Sequence, residues 1–126
     1  MKLNSLMNPA RRLFLASIAG ATLALAGCHS SMPPPTPLSQ LNPQQMRGHQ
    51  IFVDYCARCH HADSTNDLRG PGLEGLFRRK YLPSGLPAND ERVTSEIQYG
   101  RNMMPPFGNV LNNQQIQDLL AYLHTL

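Results

Sequence analysis

The sequence predicts an all-α domain, and two matching helix-start patterns are the main reason. Asn42 is followed by Pro43 and Gln45, and Asn112 is followed by Gln115. In each case the asparagine can cap the first turn, and the glutamine three residues later can bond back to it. No stretch alternates apolar and polar residues as a half-buried β-strand does. We therefore expect helices and loops, without a sheet.

Three main helices are expected in the second two-thirds of the chain. The first follows Asn42, and its apolar residues recur at helical spacing. The second covers about Asp90–Tyr99 and stops at Gly100. The third is amphipathic and is expected to run from Asn112 to the chain end at Leu126. A stretch rich in glycine and proline between the first two helices predicts long loops.

Cys56, Cys59 and His60 form a CxxCH motif, which is the signature of covalent c-type haem attachment. On a helix these residues fall at i, i+3 and i+4, so that two thiols and an imidazole share one face. The thiols can add to the two vinyl groups of a haem, while the histidine ligates its iron. We expect one covalent haem c. The haem can stabilise a domain of about 99 mature residues, which buries only about two-thirds of its surface.

The same three side chains could instead ligate a structural zinc ion. Zinc requires a fourth ligand, which only remote histidines or carboxylates could supply. The remaining cysteine of the chain is Cys28. If the haem takes Cys56 and Cys59 and a lipid takes Cys28, no thiol is left for a disulfide.

The amino-terminal residues have the pattern of an export signal. Lys2, Arg11 and Arg12 make a basic region, and the uncharged run Leu13–Ala26 has the length of a signal-peptide core. It is too short to span a bilayer comfortably. The paired arginines also match a twin-arginine pattern. We favour general secretion, because haem is attached outside the cytoplasmic membrane to an unfolded chain.

The run ends in Leu25–Cys28, which resembles the lipobox of bacterial lipoproteins. The resemblance implies removal of residues 1–27 and a lipid on Cys28, on the periplasmic side of a bacterial membrane. Ordinary cleavage nearby, with Cys28 left as a free thiol, is the alternative. Residues 28–40 contain four prolines and are expected to form a semi-rigid tether. Residues 41–126 then make the haem domain.

Charge argues against a nucleic-acid partner. The full chain has a net charge of +3, with 11 Lys and Arg against 8 Asp and Glu. Three of the basic residues lie in residues 1–27, so the mature chain has eight of each sign and is neutral. No nucleic-acid motif is present.

From Leu41 to Leu126 the chain resembles the class I cytochromes c. Beyond the CxxCH motif, Gly70–Leu73 is similar to the family loop beneath the proximal histidine. The resemblance implies that the Pro71 carbonyl accepts a hydrogen bond from His60 and tunes it as a ligand. It also implies a small fold of three main helices and loops wrapped around one haem.

The second axial ligand implied by the resemblance is Met104. The stretch Asn102–Gly108 is similar to the family's Met-Pro loop, in which the methionine immediately before the proline binds the iron. That position selects Met104, whereas Met103 is interpreted as a packing residue. A His/Met pair raises the reduction potential relative to harder ligands. The resemblance further matches Gly48, Phe52, Leu119 and Tyr122 to a crossing of the first and last helices.

The function implied is single-electron transfer, without a small-molecule substrate or enzymatic reaction. The partners are redox proteins, reached either by a free-standing shuttle or by a subunit of a dehydrogenase, reductase or oxidase. A ligand-binding or peroxidase-like haem protein, in which Met104 leaves the iron, is a further alternative. The basic run Arg78–Lys80 is interpreted as a solvated loop, or else as a docking patch or propionate partner. The segment 77–89 matches nothing in the family pattern.

Overall fold

The structure, a computed structural model, describes residues 33–126 and contains three α-helices there. These are α1 (Pro43–Tyr55), α2 (Asp90–Tyr99) and α3 (Asn113–Leu123). No strand forms in this part of the chain, where only two isolated β-bridges occur. The prediction of an all-α domain is confirmed. The export signal, the lipobox, Cys28 and the first tether residues lie outside the described residues.

All three helices start at an asparagine cap. The Asn42 side chain accepts a hydrogen bond from the Gln45 N–H, and the Gln45 side chain accepts one from the Asn42 N–H, both at 2.9 Å. Asn112 and Gln115 make the same reciprocal pair before α3. Asn89 caps α2, whose chain reverses at Gly100 with φ 71°. These local bonds satisfy backbone donors that a helix start leaves free.

Helix α3 ends at Leu123, three residues earlier than predicted. The N–H and the hydroxyl of Thr125 both donate to the Tyr122 carbonyl, at 2.8 and 2.6 Å. Because the N–H reaches back three residues rather than four, the last turn is tightened and the helix does not continue. Leu126 remains buried beyond this turn.

Helices α1 and α3 cross at Gly48. A Cβ added there would lie 2.6 Å from the Asp118 carbonyl carbon and 2.8 Å from Cβ of Tyr122. Only glycine allows the two backbones to approach so closely. The rings of Phe52 and Tyr122 pack beside the crossing with their centroids 5.5 Å apart. Leu119 is 1 % exposed, so the four residues matched to the crossing all lie at it or in the adjoining core.

The core extends from this crossing to α2 and to the long loop between α1 and α2. Its apolar members outside the crossing are Ile51, Leu76, Leu82, Val93, Ile97, Leu111, Ile116, Leu120, Leu123 and Leu126. Two single-turn 3₁₀ helices, Leu38–Gln40 and Leu76–Arg78, flank it. None of the helices within residues 33–126 has the length and apolar character needed to cross a bilayer.

The described part of the proline-rich segment lies against the helical domain. The Thr36 N–H donates to the Thr125 carbonyl at 2.8 Å, and the Arg78 guanidinium donates to the Pro33 carbonyl at 3.0 Å. The segment then closes into the 3₁₀ turn Leu38–Gln40 before α1 begins. Two bonds to distant parts of the chain therefore hold residues 33–40 in place.

Candidate functional site

The CxxCH motif begins where α1 ends. The N–H groups of Cys56 and Ala57 both donate to the Phe52 carbonyl, at 2.8 and 2.9 Å, and close the last turn of the helix. The N–H groups of Cys59 and His60 both donate to the Cys56 carbonyl, at 2.9 and 3.0 Å. One further helical-type turn is thus formed just beyond α1. Cys56, Cys59 and His60 therefore lie within one turn of the backbone, as their spacing predicts.

His60 is oriented by the loop that follows it. Its Nδ1 atom lies 2.8 Å from the carbonyl oxygen of Pro71. A carbonyl can only accept, so Nδ1 carries a proton and donates it, and in the neutral ring the lone pair is then on Nε2. A neutral imidazole held in this tautomer is a metal ligand. The structure therefore brings His60 and Pro71 into the contact that the family resemblance implies.

Glycines on both sides of Pro71 let its loop lie close to two neighbours, Gly70 to the His60 ring and Gly72 to the backbone of residues 64–66. A Cβ at Gly70 would be 2.5 Å from Cε1 and 3.0 Å from Nδ1 of His60. A Cβ at Gly72 would be 2.6 Å from the Asn66 carbonyl oxygen. The backbone at both positions is therefore too close to its neighbours for any side chain.

Arg79 holds the same loop from the other side. One guanidinium nitrogen donates to the carbonyl oxygens of Gly72 and Glu74, at 2.8 and 2.6 Å. Arg79 is half-buried, unlike the exposed Arg78 and Lys80 on either side of it. The interpretation of all three as a solvated loop is therefore wrong for Arg79.

Met104 lies at the end of a tight turn that places Met103 at its tip. The N–H and carbonyl of Arg101 pair with the carbonyl and N–H of Met104, at 3.0 and 2.9 Å. Asn102 takes the left-handed conformation that this turn requires, with φ 51°. Met103 is 88 % exposed, whereas Met104 is half-buried and packs against the core. The turn thus distinguishes the two methionines.

Helix α2 supports the methionine loop. Gly100 has φ 71°, and a Cβ there would lie 2.5 Å from the Met104 carbonyl oxygen. The N–H groups of Phe107 and Gly108 donate to carbonyls at the end of α2, at 2.9 and 3.0 Å. Both ends of the methionine loop are therefore fixed to α2.

The two thiols of the motif are unpaired and half-buried. Burial, together with the neighbouring Cys59, raises the pKa of Cys56 to about 11. Cys56 and Met104 pack against the same apolar core.

These residues fit a covalently bound haem. Two unbridged thiols lie within one turn of an imidazole that donates through Nδ1, and the lack of a Cβ at Gly70 leaves room for that ring. Haem iron is commonly held by histidine, alone or with methionine. The zinc alternative has less to support it. Within residues 33–126, no three His, Cys, Asp or Glu side chains are arranged to hold a metal ion.

Sequence reasoning missed the supporting roles of Gly100, Asn102 and Arg79. Gly100 was recognised only as a helix stop, and Asn102 only as part of the methionine stretch. An asparagine or glycine next to a candidate ligand is a signal for positive φ, which could have indicated the turn. Arg79 carries no such local signal, because its partners are set by the path of the loop.

The match to a protein-family model covers most of the domain. Residues 43–123 match the family described as cytochrome C oxidase, cbb3-type, subunit III. The matched range runs from the first residue of α1 to the last residue of α3. It therefore includes the CxxCH motif, the Pro71 loop and the methionine turn.

Individual relatives and a solved structure agree with this match. A cytochrome c6-like protein of Nostoc sp. is 36% identical over 78 residues, which cover 62% of this chain and 67% of that relative. Cytochrome c6 of Bryopsis maxima is 32% identical over 78 residues, covering 60% and 84%. The crystal structure of cytochrome c6 from the diatom Phaeodactylum tricornutum has a TM-score of 0.50 and 28% identity, covering 63% of this chain and 88% of that one.

Proposed function

Because this chain belongs to the class I c-type cytochromes, we propose that it is a single-electron carrier with His60 and Met104 as axial ligands, held outside the cytoplasmic membrane by a lipid on Cys28. Family membership by itself establishes the general function. The chain carries one covalent haem c, transfers electrons to and from redox partners, and is not an enzyme.

The observation that carries the ligand assignment is the bond between His60 and Pro71. When bound, the haem supplies one iron that takes up and releases a single electron. His60 keeps its Nδ1 proton on the Pro71 carbonyl at 2.8 Å, which fixes the ring orientation and leaves Nε2 available. Cys56 and Cys59 would hold the porphyrin through two thioethers, one S–H being added across each vinyl double bond.

Met104 is proposed as the second ligand because its turn and its burial separate it from Met103. The tight turn closed by Arg101 and Met104 exposes Met103 and turns Met104 towards the core. Pro105 and Pro106 follow directly and restrict the backbone on the other side. A ligand held from both sides can stay in place in both oxidation states, which favours fast electron transfer.

Exogenous ligands test this assignment against the peroxidase-like alternative. If His60 and Met104 both bind the iron, the resting protein offers no free position, and carbon monoxide or cyanide should bind only slowly. Stopped-flow absorption measures that rate on the purified holoprotein. Rapid binding to the resting wild type would contradict the assignment and favour a protein in which Met104 leaves the iron.

The lipid anchor is supported by the lipobox Leu25–Cys28 and has its own test. Mass spectrometry of the purified protein should find Cys28 as the first residue, with a diacylglyceryl group on its sulfur. A mature chain that starts elsewhere and keeps a free Cys28 thiol would contradict the anchor without affecting the ligand assignment. The Cys28→Ser variant is the control, since its residue 28 cannot carry a thioether-linked lipid.

The name of the matched family favours a second arrangement, in which the domain serves an oxidase complex. The family is described by a subunit of cytochrome C oxidase, and it matches residues 43–123. A stable subunit should copurify with its enzyme from detergent-solubilised membranes at a constant ratio. A free shuttle should instead separate from every large complex during gel filtration.

A further inference from the structure

The three basic residues after the second 3₁₀ turn divide into two groups. The backbone at Arg79 is extended, with φ −79° and ψ 147°, so the side chains before and after it point away from its own. Arg79 turns inward to the Gly72 and Glu74 carbonyls. Arg78 and Lys80 are exposed. Two cations are therefore presented together on the outside of the domain.

An exposed tyrosine extends this surface. The Lys80 Nζ lies 5.3 Å from the ring centroid of Tyr81, which is 52 % exposed. Tyr81 is held by a β-bridge to Pro87. Tyrosine and long basic side chains have an apolar body and a polar end, a combination suited to the boundary between membrane and water. We name Arg78, Lys80 and Tyr81 the basic face.

The proline-rich segment enters the fold at this basic face. The Arg78 guanidinium donates to the Pro33 carbonyl at 3.0 Å, which fixes the first described residue beside it. Cys28 precedes Pro33 by five residues. Five residues of fully extended chain span at most about 18 Å. A lipid on Cys28 would therefore keep Pro33, and the Arg78 side chain bonded to it, within about that distance of the membrane.

We propose that the basic face rests on the anionic phospholipid headgroups of the membrane that holds the lipid on Cys28. The proposal rests on the lipid anchor of the proposed function. Its second support is charge, because Arg78 and Lys80 are both exposed on this face. Two exposed carboxylates, Asp90 and Glu91, follow Ala88, whose N–H donates to the Lys80 carbonyl, and Glu91 lies 3.7 Å from Arg92. Asp90 lies near the same end of the domain, where it pairs with His124 at 2.7 Å, and the His124 ring stacks on Phe77.

Docking of this face determines how the domain is oriented. Helix α3 ends beside Phe77, where His124 stacks on its ring, and α3 starts about 15 Å farther away along its axis. The start of α3 is therefore separated from Phe77, next to the basic face, by the length of the helix. The Met104 turn follows the end of α2 opposite to Asp90, the residue that pairs with His124.

Lys80 provides a direct probe, because Lys2 is the only other lysine of the chain and lies in the export signal. The purified holoprotein is placed in vesicles of phosphatidylcholine alone or mixed with phosphatidylglycerol. A membrane-impermeant amine-acylating reagent is added, and its reaction at residue 80 is followed by mass spectrometry of peptides. We expect several-fold slower acylation on the anionic vesicles, with the difference removed by molar salt. Equal rates on both vesicles would overturn the proposal.

Two variants separate charge from position. Arg78→Gln keeps a donor for the Pro33 carbonyl but removes one charge, and it should reduce the docked-to-free ratio about fivefold. Arg101→Gln removes the same charge at the far end of α2 and should leave the protection of Lys80 unchanged. Equal effects of the two variants would mean that net charge, and not the basic face, is responsible.

A relocated lysine completes the test. In the double variant Lys80→Arg with Asn113→Lys, the lone mature lysine lies at the start of α3, and its acylation should not depend on vesicle charge. The mass of the amino-terminal peptide reports the anchor separately. Equal labelling of a lipidated chain overturns the basic face alone, whereas charge-dependent protection of a chain without lipid overturns the anchor alone.

Discussion

The Pro71 carbonyl oxygen lies 2.8 Å from Nδ1 of His60, and the residue before Pro71 has no room for a side chain against the same ring. Gly70→Ala should therefore displace the imidazole, because its Cβ would lie 2.5 Å from Cε1. We expect a loss of about 1–3 kcal/mol in the free energy of unfolding. The visible spectrum and the reduction potential should change as well.

Gly85→Ala is the matched control for this variant. Gly85 has φ 81° and nothing within 4 Å of an added Cβ, so its cost comes from backbone conformation alone. About 1–2 kcal/mol of stability should be lost, with an unchanged haem spectrum. If Gly70→Ala also left the haem spectrum and the reduction potential unchanged, the close contact between Gly70 and His60 would have no effect on the haem.

The bond between Thr36 and Thr125 should stabilise the domain measurably. Thr36→Pro removes the donating N–H within a segment that is already rich in proline, and it should cost about 0.5–1.5 kcal/mol in denaturant unfolding. Thr36→Ala keeps the N–H and should cost less. Equal costs for the two variants would show that the threonine side chain matters and the backbone bond does not.

The helix crossing at Gly48 should be the least tolerant position of α1. Gly48→Ala forces its Cβ against the Asp118 backbone, which cannot move like a flexible side chain. A loss near the upper end of the usual 1–3 kcal/mol range for overpacking is expected, measured by denaturant unfolding. Gln50→Ala, exposed on the same helix, should change stability by only about 0.5 kcal/mol. Similar losses in both would contradict the close crossing.

The ion pair of Asp118 with Arg47 should make stability depend on acid pH. The carboxylate is bonded by Arg47 at 2.7 and 3.2 Å and by Gln114 at 3.0 Å, and chiefly the Arg47 bond lowers its pKa. Since the unfolded pKa is about 3.9, this contribution is complete above that value and is lost as the pH falls through the lower, folded pKa.

Asp118→Asn tests that sign. At neutral pH the variant should be less stable than the wild type, and the difference should shrink as the pH is lowered. Thermal unfolding midpoints between neutral and strongly acid pH measure it. A difference that stays constant over this range would show that the charge of Asp118 contributes nothing.

The parts of this structure that sequence could predict are local or carried by a motif. The caps at Asn42 and Asn112 depend on side-chain bonds to residues three positions away, so they can be recognised without a fold. The CxxCH motif likewise needs only one turn of chain to bring its thiols together with His60. The family resemblance then indicated Pro71, whose partner lies eleven residues away.

Long-range contacts could not be predicted in this way. Arg47 and Asp118 are 71 residues apart, and nothing near either residue indicates the other. The inward turn of Arg79 depends on where the loop carries the Gly72 carbonyl. The docking of Thr36 depends on α3 ending before the chain does, through a turn at Thr125 that the apolar pattern does not show.

The far-red absorption band of a methionine bound to haem iron tests the central claim most directly. The oxidised wild type should show this band, Met104→Ala should lose it and have a lower reduction potential, and Met103→Ala should retain both wild-type properties. A Met104→Ala protein that keeps the band, or a Met103→Ala protein that loses it, would contradict the assignment of His60 and Met104 as the ligand pair.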